Sequence, residues 1–408
     1  MKSIKLNRLF TTLIIVVFSA GTILPQQDKT PVNSLTEKNV PLVELKGNGY
    51  ERGIQHGTLL KNEIAELYKK WKDDLKRTTR RDADSVIAEF LKATNFEPII
   101  KKLTPEVLDE VKGIAEGSKQ KYDDVFAFQL VDEFWVYLDR LSNTKNHHCS
   151  GLGVPAVKNR PAIVAQNTDL PNLYNGYQTV FHIARTKTEP EQFIISTPGF
   201  VCINGMNENR VGVCVNTIME ATASADGLPV AYVIRGILSR QTGKEALSFL
   251  TTTKHASGQN YIVGIKDSVY NYEASANKVV RYLPKGTKSA LVYHTNHAIV
   301  NDDIKEWYAE YHKRILGDGA SRMDSGIRQL ALEKRLSLPL EEITIDVVKT
   351  TLRSKDHQRS PVCRPYFERG GVFSFVSVIY VLGDKPSLQI TNGPPDQAEY
   401  IEHFFSAK

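Results

Sequence analysis

The sequence changes periodicity between residues 141 and 161, and that change limits the folds open to it. Residues 59–75, 84–93, 105–119 and 123–141 carry apolar side chains at helical spacing, so the stretch 47–141 reads as almost all helix. From Pro161 onward the apolar runs become short and β-rich: 162–165, 179–184, 193–195, 211–215, 261–265, 269–272, 289–293 and 373–381. Helices are expected at 229–238, 244–253, 302–316, 322–335 and 345–353. Hairpin-like strands interrupted by clustered helices suggest an α+β chain in which antiparallel sheets pack face to face under helical layers. A short strand over 40–45 precedes the segment from Gly47 to Gly57, whose glycines read as a tight turn.

Cys149 lies where the two regimes meet, in Lys145-Asn146-His147-His148-Cys149-Ser150-Gly151. Were the bond before it cut, its own α-amino group would be placed to act as its base. Gly151, Gly153 and Pro155 argue for extended chain after it, so activation of the thiol by a helix N-terminus is disfavoured. A papain-like partnership of Cys149 with His294 or His297 is the competing arrangement.

The first residues carry Lys2, Lys5 and Arg8, then an apolar run and Ser19-Ala20-Gly21, which reads as a secretory signal peptide over residues 1–21. A polar linker over 22–39 follows, and the protein is expected to be exported to a periplasmic or extracellular space with no stable membrane insertion once the signal is removed. Losing the leader lowers the formal charge of +6 to about +3, too weak to argue for a nucleic-acid partner. The four cysteines, Cys149, Cys202, Cys214 and Cys363, are too sparse for a disulfide-stapled scaffold. Cys202 and Cys214 flank the turn-rich Asn204–Asn209 stretch, where a bridge across a hairpin competes with two buried free thiols.

Polar residues interrupt the strand-like region at Gln166-Asn167-Thr168-Asp169, which ends the first strand, at Asn216, and at His294-Thr295-Asn296-His297. Amides and carboxyls at strand ends are placed to orient a reacting centre, although each also serves ordinary turn chemistry. His147-His148 and His294/His297 lack the spacing that makes a zinc site specific, so no metal and no cofactor is expected. Phe134, Trp135 and Tyr137 could line an apolar acyl pocket or be plain core.

These residues together resemble the acyl-coenzyme A:6-aminopenicillanic acid acyltransferase family, within the N-terminal nucleophile hydrolases. The likeness is carried by Gly47 to Gly57, Cys149-Ser150, Gln166-Asn167-Thr168-Asp169, Gly205-Met206-Asn207 through Asn216, His294-Thr295-Asn296-His297, and Cys363-Arg364. It implies an αββα four-layer sandwich of antiparallel sheets preceded by a helical segment, with 40–148 as a small subunit and 149–408 as a large one. It also implies self-cleavage between His148 and Cys149, the processed subunits remaining together as a heterodimer. Asn296 would serve the oxyanion hole, with Asp169 and Asn216 as further polar contacts. The activity implied is cleavage of a linear amide in a small-molecule N-acyl substrate through a Cys149 thioester. Transfer of the acyl group to an amine, or a silent member that binds acylated ligands, are the alternatives. Two departures stand out: His148 occupies the position of a glycine, and Thr168 that of a tryptophan. Penicillin and coenzyme A chemistry are therefore not carried over.

Overall fold

The computed structural model describes residues 39–142, 148–286, 291–311 and 323–406. The expected signal peptide, most of the linker and His147 lie outside the described residues.

After strand β1 (Leu42–Leu45), seven helices follow: α1 (Gly49–Leu59), α2 (Lys61–Thr79), α3 (Ala83–Ala93), α4 (Glu97–Leu103), α5 (Pro105–Ser118), α6 (Tyr122–Phe128) and α7 (Val131–Ser142). Then come β2 (Ser150–Val154), β3 (Ile163–Pro171), β4 (Thr179–Ile183), β5 (Gln192–Ser196), β6 (Asn204–Asn207) and β7 (Val211–Thr217). Helices α8 (Val230–Leu238) and α9 (Gly243–Thr252) lead to β8 (Gln259–Ile265), β9 (Ser268–Ala274), β10 (Val279–Arg281) and β11 (Val292–His294). The chain closes with α10 (Glu306–Tyr311), α11 (Asp324–Leu336), α12 (Ile345–Leu352), β12 (Val372–Val381), β13 (Ser387–Ile390) and β14 (Ile401–Phe404).

The strands form an eight-stranded sheet, β1-β4-β5-β6-β7-β8-β9-β10, and a six-stranded sheet, β11-β2-β3-β12-β13-β14. Their faces pack through β2 and β3 against β7 and β8, while α8 covers β6 and β7 and α11 and α12 cover β11 and β3. The result is the expected four-layer αββα sandwich. One pairing departs from the antiparallel expectation: β1 runs parallel to β4, Leu42 opposite Val180. The helical segment thereby supplies an edge strand to the large sheet.

The stretch from Gly47 to Gly57 is not a turn. Asn48 caps α1 in a reciprocal capping box with Glu51, and only Gly47, at φ +91°, needs the freedom of glycine for its backbone angle. Gly49, Gly53 and Gly57 recur every fourth residue on one face of α1, against Gly113 and Gly117 of α5. A Cβ at Gly53 would lie 2.0 Å from the Glu110 carbonyl oxygen, and one at Gly113 2.3 Å from that of Tyr50. The glycines let two helix backbones touch.

Beneath that contact Glu110 sits between two arginines. Its carboxylate takes Arg235 Nη1 and Nη2 at 2.9 and 2.8 Å and Arg52 Nε at 3.3 Å, all three side chains being buried. Burial alone would raise the Glu110 pKa, but Arg235 and Arg52 hold it below the ordinary value. One apolar core runs from Ile64 and Phe90 of the helical segment through the space between the sheets, and a second lies between the small sheet and α11 and α12.

Candidate active site

Residue alternation along β2 and β3 builds the site. On β2, Leu152 and Val154 face the core under α11 and α12, and Gly151 and Gly153 face the other sheet. A Cβ at Gly151 would meet Ile262 at 3.0 Å and Asn216 Oδ1 at 3.2 Å, so the glycines set how closely the sheets approach. Ser150 continues the helix-side row, where its Oγ accepts from Arg328 Nη1 at 3.0 Å.

Cys149, just before β2, lines a cavity between the sheets together with Trp135, Asp169, Phe200, Val215 and Ile234. Burial, and then the neighbouring Asp169 carboxylate, push its thiol up to about 12, so the thiol carries its proton at neutral pH while residue 149 is internal to the chain. Its carbonyl oxygen accepts from Arg328 Nη1 at 2.5 Å. Arg328 is fully buried and also donates from Nη2 to Asn296 Oδ1 at 3.1 Å and from Nε to Asp324 Oδ2 at 3.0 Å.

Asp324 is the hub of the helix side. It takes His148 Nδ1 at 2.9 Å and Arg364 Nη2. Burial would raise its pKa, but His148, Arg328 and Arg364 hold it far below the ordinary carboxylate value. His148 has its pKa lowered, first by burial, so it is neutral near pH 7. A neutral imidazole facing a carboxylate through Nδ1 keeps its proton on that nitrogen.

The remaining candidates separate by partner. Asp169 Oδ1 accepts from Ser374 Oγ at 2.7 Å, and its Oδ2 lies 3.3 Å from Arg364 Nε. A β-bulge in β12 between Ser374 and Val376 turns Ser374 onto it. Burial outweighs Arg364 and Arg328 and raises Asp169 to about 7. Asn296 donates its backbone N–H to Ser325 Oγ at 2.7 Å and its side-chain Nδ2 to the Thr217 carbonyl at 3.1 Å. Asn216 Oδ1 accepts across β7 and β8 from Asn260 Nδ2 at 3.2 Å, and its own Nδ2 is buried without a partner among the described residues.

Gln166-Asn167-Thr168-Asp169 lies within β3 rather than at its end, because β12 extends the pairing to Pro171. Asn204 Nδ2 donates to Gln166 Oε1 and Thr168 Oγ1 at 2.9 and 3.0 Å, tying the sheets together. Asn167 Nδ2 donates to the carbonyls of Leu352 and Val362 and anchors the end of α12. The papain-like pairing does not form. His294 turns its ring nitrogens to Glu273 and the Thr295 carbonyl, at 2.7 and 2.8 Å, and His297 Nδ1 meets Ser325 Oγ at 2.8 Å. No bridge joins Cys202 to Cys214; both are free and buried. Of the aromatic trio, Trp135 lines the cavity, whereas Phe134 is core against Phe90 and Tyr137 stacks on Phe134.

Sequence reasoning missed Asp324, Arg328 and Asp132. Asp324 and Arg328 are one helical turn apart on α11, a spacing common to any surface ion pair, and only the fold brings them to Cys149. Asp132 lines the cavity beside Cys149.

Against this geometry the comparisons are specific in one respect. Residues 156–331 match the acyl-coenzyme A:6-aminopenicillanic acid acyl-transferase family. The match begins after Cys149 and spans Asp169, Asn216 and Asn296. No curated protein matches the sequence. Among solved structures, a Caenorhabditis elegans N-acylethanolamine-hydrolyzing acid amidase ortholog is similar at TM-score 0.40 and 15% identity, over 58% of this chain and 93% of its own. A conjugated bile acid hydrolase variant from Clostridium perfringens gives 0.38 and 11%, over 63% and 97%. Penicillin V acylase from Agrobacterium tumefaciens gives 0.36 and 13%, over 60% and 82%. Among the described residues no helix is long and apolar enough to cross a membrane.

Proposed function

We propose that this chain is an exported amidase that cuts itself between His148 and Cys149 and then attacks the amide of an N-acylated small molecule with the Cys149 thiol. The observation that carries the reading is the setting of Cys149. Its side chain lines an apolar cavity between the sheets, while Arg328 grips its carbonyl and Asn296 together. Such a grip holds the backbone beside the bond to be cut in one geometry.

In the self-cleavage step, Sγ attacks the His148 carbonyl carbon, the carbon–nitrogen bond breaks, and the thiol proton passes to the departing Cys149 nitrogen. Water then hydrolyses the thioester, leaving a His148 carboxylate and a free thiol. The new α-amino group, with a pKa of about 7.7–8.0, takes over as base at working pH. It also offsets the burial that keeps the internal thiol protonated, because the α-ammonium of Cys149 itself, formed when the amine takes the thiol proton, favours the thiolate. In turnover the thiolate attacks the substrate amide, the amine leaves with a proton, and water resolves the acyl thioester. Asn296 Nδ2, which holds the Thr217 carbonyl in the uncut chain, is the donor we assign to the oxyanion. Asp169 holds the strand beside Cys149 through Ser374 and Arg364. The cut segments stay together as a heterodimer through the Glu110 triad and the shared core.

Transfer to an amine in place of water is the second reading, favoured by the description of the matched family. Product analysis with added amine acceptors separates the two. The reading as a whole is tested by Cys149→Ala, which should remain one chain; a variant that still splits after His148 would refute self-cleavage.

A further inference from the structure

The cavity beside Cys149 contains one charged group that nothing among the described residues neutralises. Asp132, in the first turn of α7, faces it between apolar walls that include Phe128, Trp135 and Val230. Its Oδ2 accepts from Gln259 Nε2 at 3.3 Å and Thr217 Oγ1 at 3.5 Å, so the carboxyl is held in place. Its Oδ1 has no hydrogen-bond partner among the described residues, and no lysine, arginine or histidine among them pairs with it. A second polar atom of the same lining, Thr197 Oγ1, is buried with no partner.

Asp132 is half-buried, and apolar walls beside an unpaired carboxylate disfavour its charge: burial, then the neighbouring Glu133, raise Asp132 to about 7. Glu133 offers no relief, since it is taken up by the Val230 N–H and Ser257 Oγ at 3.0 and 2.6 Å. Asp169, also in the lining, carries its own arginine. A cationic hydrogen-bond donor arriving with a ligand would satisfy Asp132 Oδ1 and leave Thr197 Oγ1 as a second acceptor. The walls on either side suit hydrocarbon. The part of a substrate that remains on the thioester is the part a cavity beside Cys149 must hold, because the amine has to leave.

We propose that Asp132 determines specificity, selecting N-acyl substrates whose apolar acyl group ends in an ammonium. This rests on the reading of Cys149 as the amide-attacking nucleophile. The test uses two fluorogenic anilides of equal acyl length, one ending in methyl and one in ammonium, with the processed protein and its Asp132→Asn variant. The wild-type protein should favour the ammonium substrate in kcat/KM by about tenfold or more, and Asp132→Asn should lose that preference. Equal use of both substrates by the wild-type protein, or a preference that survives Asp132→Asn, overturns the assignment. Calorimetric binding of the same two compounds to Cys149→Ala, with and without Asp132→Asn, gives a readout independent of turnover. If neither anilide is cleaved but ammonium binding is tighter and depends on Asp132, the amidase reading fails and what stands is recognition of the ammonium by Asp132. If both are cleaved equally, the reverse holds.

Discussion

Replacing Glu110 by glutamine tests how the helical segment is held to the sheets. The substitution keeps the shape and removes the charge that Arg235 and Arg52 share, at 2.8 and 3.3 Å from one carboxylate oxygen. Arg52 would retain Glu189 at 3.0 Å, but Arg235 would keep no direct bond to a carboxylate, only those to neutral groups such as the Val201 carbonyl at 3.2 Å. Removing one partner of a buried ion pair costs about 3–5 kcal/mol, and leaving two guanidiniums beside one site argues for the upper part, about 4–5 kcal/mol. A folded body of this length unfolds with roughly 0.8 kcal/mol/K at about 2.1 cal/mol/K per residue, so Tm should fall by about 5–6 °C. Scanning calorimetry at pH 7 measures it. The Glu110 pKa is depressed, so its contribution is present above the unfolded value of 4.5 and is lost as pH falls through the folded one; the gap between the two proteins should close on acidification. A Tm within about 1 °C of wild type at pH 7 would refute the argument that the triad's charges need one another.

Other perturbations test other layers. Gly53→Ala puts a methyl 2.0 Å from the Glu110 carbonyl; overpacking of about 1–3 kcal/mol should exceed the roughly 1 kcal/mol gained in helix propensity, and a variant as stable as wild type in urea would show that the helices can part freely. Asn296→Ala should fold normally and slow processing or turnover by about 10²–10³-fold, with unchanged rates removing it from the oxyanion hole. Asp132 and Asp169 are both raised from 3.8 to about 7, so the folded state holds extra protons in that interval and their effect turns against stability as pH rises through it. Asp132→Asn should therefore gain stability relative to wild type at pH 8 compared with pH 5, by at most about 3 kcal/mol. Denaturant melts at the two pH values would show it, and an equal difference at both would contradict the burial of that carboxyl.

The four-layer plan was legible because runs of β-branched and aromatic residues mark the long buried strands, as in β7, β8 and β12. For β2 the glycines and Pro155 pointed to extended chain, as found, but not to why glycine recurs there: the other sheet requires it, a demand no local pattern expresses. The same holds for Gly49, Gly53 and Gly57. Read locally they signal a turn, yet their four-residue spacing is the mark of one helix face meeting another backbone. At the candidate site, Cys149, Asp169, Asn216 and Asn296 stood out as polar residues in apolar surroundings. Arg328, which binds the carbonyl of one and the amide of another, is an unremarkable charge in a helix until α11 is laid across β11. His148 precedes the nucleophile in the chain, but chain adjacency does not set where its ring points. The structure turns it to Asp324 on the helix side, while Cys149 faces the cavity between the sheets.

The central claim is that Cys149 becomes an N-terminus, and mass spectrometry of the purified full-length protein tests it most directly. The account predicts two fragments, the larger beginning at Cys149, and a single uncut chain for Cys149→Ala. A wild-type chain that stays intact across the His148–Cys149 bond through prolonged incubation would contradict it.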